Sequence, residues 1–150
     1  MVQPLILDIG CGNNKYPNSI GMDKRAIIGV DIIHDMEQPP WPIENEYFDQ
    51  AKMLHVMEHL KPWLVIDIMN EVWRILKFNG ELELIMPIAG SVAFYSDPTH
   101  IKSWNIYTVE YFNINSNFRN IYSPKPWKVV KNYVNHKQYL EIILEKIDDK

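Results

Sequence analysis

Two groups of residues have the types and spacing to do chemistry. The first lies in Pro4-Leu5-Ile6-Leu7-Asp8-Ile9-Gly10-Cys11-Gly12, an apolar run of strand length that ends in Gly-x-Gly. A turn built without Cβ atoms lets backbone N–H groups come close to a ligand. Acids recur downstream at Asp23, Asp31 and Asp35, in short segments that read as strands. The second group is His55, Glu58 and His59, spaced i, i+3 and i+4, with His100 further on in Ser96-Asp97-Pro98-Thr99-His100. If a helical turn begins at His55, Glu58 and His59 lie on its side. Imidazoles change protonation near neutral pH, which suits them to general-base work.

The elements that must position these groups follow from apolar patterning. Leu5–Ile9 reads as a first, parallel strand buried on both faces. Residues 10–18 hold turn formers and Pro17, so no long helix is expected after it. Residues 19–23 and 29–35 read as a second and a third strand, each ending in an acid. Pro39, Pro40 and Pro42 make 36–46 an extended loop. Residues 47–54 read as a fourth strand that delivers His55. Pro62 suits a first helical position, and Val65, Ile68, Met69, Val72 and Leu76 keep helical spacing. Arg74 and Lys77 then occupy the last turn of a helix over 62–77, with Asn79-Gly80 as its stop signal. Glu81–Met86 alternates as a fifth strand. Residues 87–103 read as loop, 104–112 as a short helix and 113–126 as loop. Residues 127–134 and 139–147 read as a hairpin. The expected fold is α/β: a mostly parallel open sheet with a C-terminal antiparallel hairpin and reduced helices on one face. Ligands in such sheets sit at the C-terminal ends of the strands.

Composition sets the bounds. The chain has 150 residues, 47% of them hydrophobic and 23% charged, as expected of one globular domain spanning 1–150. A net charge of −4 argues against an extensive phosphate-tracking surface, while Lys125, Lys128, Lys131 and Lys137 read as a local, solvated basic patch; nucleic acid is neither indicated nor excluded. The single cysteine, Cys11, allows no internal disulfide framework and fits a reducing, cytoplasmic compartment. No apolar run is long enough to span a membrane, and the chain enters its first strand too early to leave room for a signal peptide.

Taken together, Leu7-Asp8-Ile9-Gly10-Cys11-Gly12, Gly21-Met22-Asp23, Asp35-Met36, Tyr47-Phe48-Asp49, His55-Val56-Met57-Glu58-His59-Leu60 and Asn79-Gly80-Glu81-Leu82 resemble the class I S-adenosylmethionine-dependent methyltransferases over residues 5–90. The resemblance implies a Rossmann-like methyltransferase fold, S-adenosylmethionine as cofactor, and an acceptor oxygen or nitrogen that the sequence does not identify. It implies a cofactor-binding set of Asp8, Gly10, Cys11, Gly12, Asp23, Lys24, Asp35, Met36, Leu54 and His55. In that set Gly10 and Gly12 admit the amino-acid end of the cofactor, and Asp8 reaches its ammonium. The acid closing the second strand binds the ribose diol, and the acid closing the third accepts from the adenine amine. Asp23 lies 11 residues after Gly12 and Asp31 lies 19 after it. Both are ribose candidates. Asp23 is preferred because the Asn/Pro loop leaves no room for a full helix, and a third strand then delivers Asp35 to the adenine. A nicotinamide site is disfavoured, since the third glycine of that fingerprint is replaced by Lys15.

The histidines carry two readings. In the first they cap the strand and pack near the cofactor, and His55 or His100 serves as general base. In the second, His55, Glu58, His59 and His100 hold a divalent metal ion. This set is similar to the metal-dependent small-RNA 2′-O-methyltransferases and to some quinone-biosynthesis O-methyltransferases, but with His55 where those families have an acid. Three imidazoles and one carboxylate favour zinc, iron or manganese over magnesium. A third possibility, from another class, is a catalytically silent cofactor-binding subunit of a partner. Trp63 and Trp73 read as packing residues. Trp104, Tyr107, Tyr111 and Phe112 read either as core or as acceptor-binding elements. Because the segments after the first three strands are short and turn-rich, one sheet face is expected to be thinly covered, shielded by loops, a second copy or a partner chain.

Overall fold

The computed structural model describes residues 3–148. The apolar runs pair into one seven-stranded sheet: β1 (Ile6–Ile9), β2 (Ile20–Asp23), β3 (Ile32–Ile33), β4 (Phe48–Leu54), β5 (Leu76–Pro87), β6 (Trp127–Val134) and β7 (Tyr139–Lys146), in the order β3-β2-β1-β4-β5-β7-β6. Strands β1 to β5 run parallel, and β7 is antiparallel to both β5 and β6. The chain moves outward from β1 to β3, then crosses back to place β4 on the other side of β1. That reversal opens a crevice at the C-terminal ends of β1 and β4, where Gly10 and His55 lie.

Helix α1 (Val65–Ile75) joins β4 to β5. A 3-10 turn over Pro62–Leu64 leads into it. Its stripe of Val65, Ile68, Met69, Val72 and Ile75 is buried. Arg74 sits in the last turn, as expected, and its guanidinium ties Glu71 to the Trp41 and Ile43 carbonyls. The helix ends earlier than its pattern suggests, for Leu76 is already extended and pairs with Phe48. Lys77 is therefore not a helix-end cation and instead meets Asp49 at 2.8 Å. Asn79-Gly80 does not stop the helix. It forms a tight excursion inside β5, with Asn79 at φ 60°, before pairing resumes at Gln50↔Glu81. The expected third strand over 29–35 shrinks to Ile32–Ile33, because Gly29 (φ 94°) and Asp31 are used to close a loop on Gly21. Residues 104–112 contribute only a 3-10 helix over Thr108–Phe112, and single helical turns at Val92–Tyr95 and Arg119–Tyr122 interrupt the two expected loops.

The sheet has two unlike faces. On one, Leu7, Ala51, Leu82 and Leu144 fall in register, as do Met53, Leu84 and Ile142, and all are buried in one cluster with α1, Trp104, Phe112 and Trp127. On the other, Asp8, Lys52, Glu83 and Ile143 form one row, and Gln50, Glu81, Glu145 and Lys128 form the next. Only loops follow β1, β2 and β3 (residues 10–19, 24–31 and 34–47), so no helix between these strands covers that second face. The strands compensate in composition. Lys52 pairs with Glu83, Lys128 with Glu145 at 3.3 Å, and Lys131 with Glu141 at 3.6 Å. An alternating strand with one solvated face is what an uncovered sheet requires. Strand β1 is buried on both faces, as expected, but one of them offers Asp8, set against Lys52, where an apolar side chain would be usual. Among the described residues, no helix is long and apolar enough to cross a membrane.

Candidate functional site

Two turns meet at the crevice. Strand β1 ends in Gly10 (φ 72°), whose N–H donates to the Met22 carbonyl at 2.7 Å. A Cβ on Gly10 would fall 2.7 Å from Val56 Cγ2, so the turn lies directly against the segment that follows β4. Strand β4 ends at Leu54, and His55 takes φ 57°, unusual for a residue with a side chain. Its N–H donates to Ile85 O at 2.8 Å and its ring packs edge-on against Tyr139. That bend carries the chain into a 3-10 turn over Met57–His59. Between the turns lies a cavity of about 620 Å³, lined by Gly10, Asp23, Lys24, Arg25, Asp35, Met36, Glu37, His55, Val56, His59, Leu60 and Thr99.

Six of the ten expected cofactor residues line this cavity: Gly10, Asp23, Lys24, Asp35, Met36 and His55. The other four are not in its lining, and three of them brace the turn. Asp8 accepts from the Tyr16 N–H at 2.7 Å, and its burial raises its carboxyl above the ordinary value. Gly12 donates its N–H to Asp23 at 3.0 Å. Cys11 is buried against Gly21, and burial pushes its thiol up, as befits a packing residue rather than a nucleophile. Leu54 is partly buried at the end of β4. Asp31 is also outside the cavity, accepting from Gly21 N at 2.7 Å and pairing with Lys15.

Asp23 is the most heavily engaged acid of the cavity. Arg25 Nε and Nη2 approach its two oxygens at 3.0 and 3.2 Å, while the N–H groups of Arg25 and Gly12 also donate to it. The Arg25 guanidinium first, then these N–H groups, hold its carboxyl at about 2 against an ordinary 3.8, while burial opposes them. A folded-state pKa below the unfolded one gives stability that is complete above about pH 4 and is lost as pH falls from 3.8 through 2. Arg25→Ala is therefore expected to destabilise the protein at pH 7 and to have a much smaller effect at pH 2. Urea unfolding at the two pH values checks this.

At the far wall, Glu58 is only 1% exposed, and its Oε2 has no hydrogen-bond partner among the described residues. Ligand atoms of Glu58, His59 and His100 lie within 4.8 Å of one another. His55 does not join this group. It faces Glu58 alone, with Nδ1 3.5 Å from Oε1. Two imidazoles and a buried carboxylate oxygen without a partner are a donor set that fits a borderline divalent cation.

The aromatic residues divide between roles. Trp104 and Phe112 are stacked in the core. With Tyr107 and Tyr111 they also line a second cavity of about 550 Å³ beside Pro62 and Val65. Trp73 packs as expected and donates to the Pro126 carbonyl. Trp63 does not pack, being 75% exposed. Sequence reading missed Arg25, Asp97 and Thr99. The Asp97-Pro98-Thr99 run immediately before His100 was the available signal for two of them.

No family model and no curated protein sequence matches the chain. Solved structures do. A SAM-dependent methyltransferase from Archaeoglobus fulgidus is 19% identical with a TM-score of 0.66, covering 94% of this chain and 85% of its own. One from Aquifex aeolicus is 13% identical with a TM-score of 0.66 over 96% and 82%. The 1,6-didemethyltoxoflavin-N1-methyltransferase of Burkholderia thailandensis, solved with S-adenosylhomocysteine, is 11% identical with a TM-score of 0.71 over 97% and 72%. Strand order, the antiparallel β7 and these likenesses agree: the chain has the Rossmann-like fold of the class I S-adenosylmethionine-dependent methyltransferases.

Proposed function

We propose that the chain acts as one S-adenosylmethionine-dependent methyltransferase domain, with an oxygen or nitrogen as methyl acceptor. The observation that carries this reading is the crevice between β1 and β4, where Gly10, Asp23, Asp35 and His55 line one cavity. In it, Gly10 admits the amino-acid end of the cofactor, Asp23 takes the ribose diol, and Asp35, beside Met36, receives the adenine. When bound, the cofactor would supply a methyl group on a sulfonium, from which the neutral thioether is an excellent leaving group. The chain's own residues then orient the acceptor and take its proton. His55 and His59 line the cavity and His100 packs against His59, so the base is drawn from these imidazoles. Calorimetry with S-adenosylmethionine is expected to show stoichiometric binding that S-adenosylhomocysteine competes away. No binding by the wild-type chain would sink the reading.

A second, narrower reading is favoured by the unpartnered Glu58 Oε2 beside His59 and His100. Glu58, His59 and His100 hold a divalent cation, with His55 left free as a base. When bound, such a cation lowers the pKa of an acceptor hydroxyl. Its ligand set differs from the four-residue set expected from sequence by the loss of His55.

A further inference from the structure

An imidazole offers a lone pair only at the nitrogen that carries no proton, and the partner of the other nitrogen decides which one that is. At His59 the partner is Thr99. Thr99 Oγ1 lies 2.6 Å from Asp97 Oδ1 and 3.0 Å from His59 Nδ1. The carboxylate can only accept, so the single hydroxyl proton goes to Asp97. The Thr99 oxygen then accepts from His59 Nδ1–H, and His59 Nε2 is left with the lone pair. Asp97 Oδ1 also accepts from the Thr99 N–H at 2.8 Å, which fixes the hydroxyl in place.

At His100 the partner is a backbone carbonyl. His100 Nδ1 lies 2.8 Å from Phe94 O, which can only accept, so Nδ1 donates and Nε2 is again the open nitrogen. His100 Nε2 stands 3.6 Å from Asp97 Oδ2 and 4.0 Å from Glu58 Oε1. Two carboxylates thus converge on it, and Glu58 Oε2 is buried without a partner. Such a cluster of acceptors suits a divalent cation.

We propose that Asp97 and Thr99 are positioning residues: they lock His59 as its Nδ1–H tautomer, so that the Nε2 atoms of His59 and His100 join Glu58 in one divalent-cation site. This rests on the second reading above. The chain would then use the Asp97-Pro98-Thr99-His100 run twice, once for a ligand and once for the groups that orient its neighbour. Outer partners of this kind set ligand orientation and basicity, and their loss typically costs about 10–100-fold in metal affinity.

The test uses the full chain, zinc chloride as the probe, and the variants Thr99→Val and Thr99→Ser. Calorimetry reads zinc affinity, and 15N NMR of the histidine rings in metal-free protein reads the tautomer. Thr99→Val keeps the shape and removes the hydroxyl. It is expected to weaken zinc about 10-fold or more and to turn the single His59 tautomer into a mixture. Thr99→Ser restores the hydroxyl and should restore both readouts. Unchanged zinc affinity and an unchanged His59 tautomer in Thr99→Val would overturn the proposal while leaving the cation reading intact. A wild-type chain that takes up no zinc overturns the cation reading and the proposal built on it, but not methyl transfer itself. Glu58→Gln, which leaves the Thr99 hydroxyl alone, should lose zinc yet keep the His59 tautomer; loss of the tautomer there also counts against the proposal.

Discussion

Asp23→Ala is expected to weaken S-adenosylmethionine binding by about 100-fold or more, while Asp31→Ala stays within a few-fold of wild type. Both acids fit the sequence pattern of a ribose-binding carboxylate, and the structure separates them by what each touches. Asp23 closes β2 and lines the cavity. Asp31 is turned to Gly21 and Lys15, closing the loop that precedes β3. A carboxylate that accepts from both hydroxyls of a diol makes two charge-assisted hydrogen bonds, each worth about 1.5–3 kcal/mol. Losing both costs at least about 3 kcal/mol, or two orders of magnitude in affinity. Asp31→Ala should cost stability instead, because the Gly21 N–H loses its acceptor. Arg25 adds a third arm. Its guanidinium occupies the Asp23 oxygens that a diol needs, yet its side chain is more than half exposed and is free to swing aside. Arg25→Ala is therefore expected to raise the affinity, not lower it. Calorimetry on the three variants decides the matter, and a loss with Asp31→Ala as large as that with Asp23→Ala would remove the assignment.

What was legible in the sequence is what local physics controls. The β1 strand and its Gly-x-Gly turn, the stripe of α1 and the β6–β7 hairpin all carry their own periodicity, and all stand close to where it places them. The misplaced features depend on distant partners. Asn79 does adopt the left-handed conformation that its type favours, but the chain has already left the helix at Leu76, drawn into pairing with Phe48. Residues 29–31 look like strand because Gly29-Val30-Asp31 leads into Ile32-Ile33, yet Asp31 spends its carboxylate on Gly21. The sparse helical cover was legible as short, turn-rich connections. The polar face that goes with it was legible only in part, in the alternation of Glu81–Met86. His55 was expected to share one helical side with Glu58 and His59. Its positive φ, set by docking onto Ile85 and Tyr139, places it outside that cluster. The link between Thr99 and His59 spans 40 residues, and no short-range pattern announces it.

Gly10→Ala is expected to damage both the fold and the proposed cofactor site more than Gly12→Ala, although both glycines sit at positive φ. Each substitution incurs the left-handed penalty of a residue with a Cβ, about 1–2 kcal/mol. The surroundings differ. A Cβ at Gly12 would approach only Arg25 Nη2, at 3.3 Å, the far end of a long and exposed side chain that can move away. A Cβ at Gly10 would meet Val56 Cγ2 at 2.7 Å and Cγ1 at 3.2 Å, with Met36 Cε at 3.1 Å. Methionine can re-pack, but buried valine is stiff at χ1 and is held by the bend that follows His55. Overpacking of this kind costs a further ~1–3 kcal/mol. The strain has two outlets. Either Val56 and Met36 are pushed into the cavity they line, or the turn retreats and carries its N–H groups away from the ligand. Both outlets reduce cofactor affinity. Gly10→Ala should thus lose about 2–5 kcal/mol of stability together with measurable S-adenosylmethionine binding, whereas Gly12→Ala should keep binding with only the smaller stability loss. Urea unfolding and calorimetry on the two variants give the comparison, and equal losses would mean that contact with Val56 does not set the position of the turn.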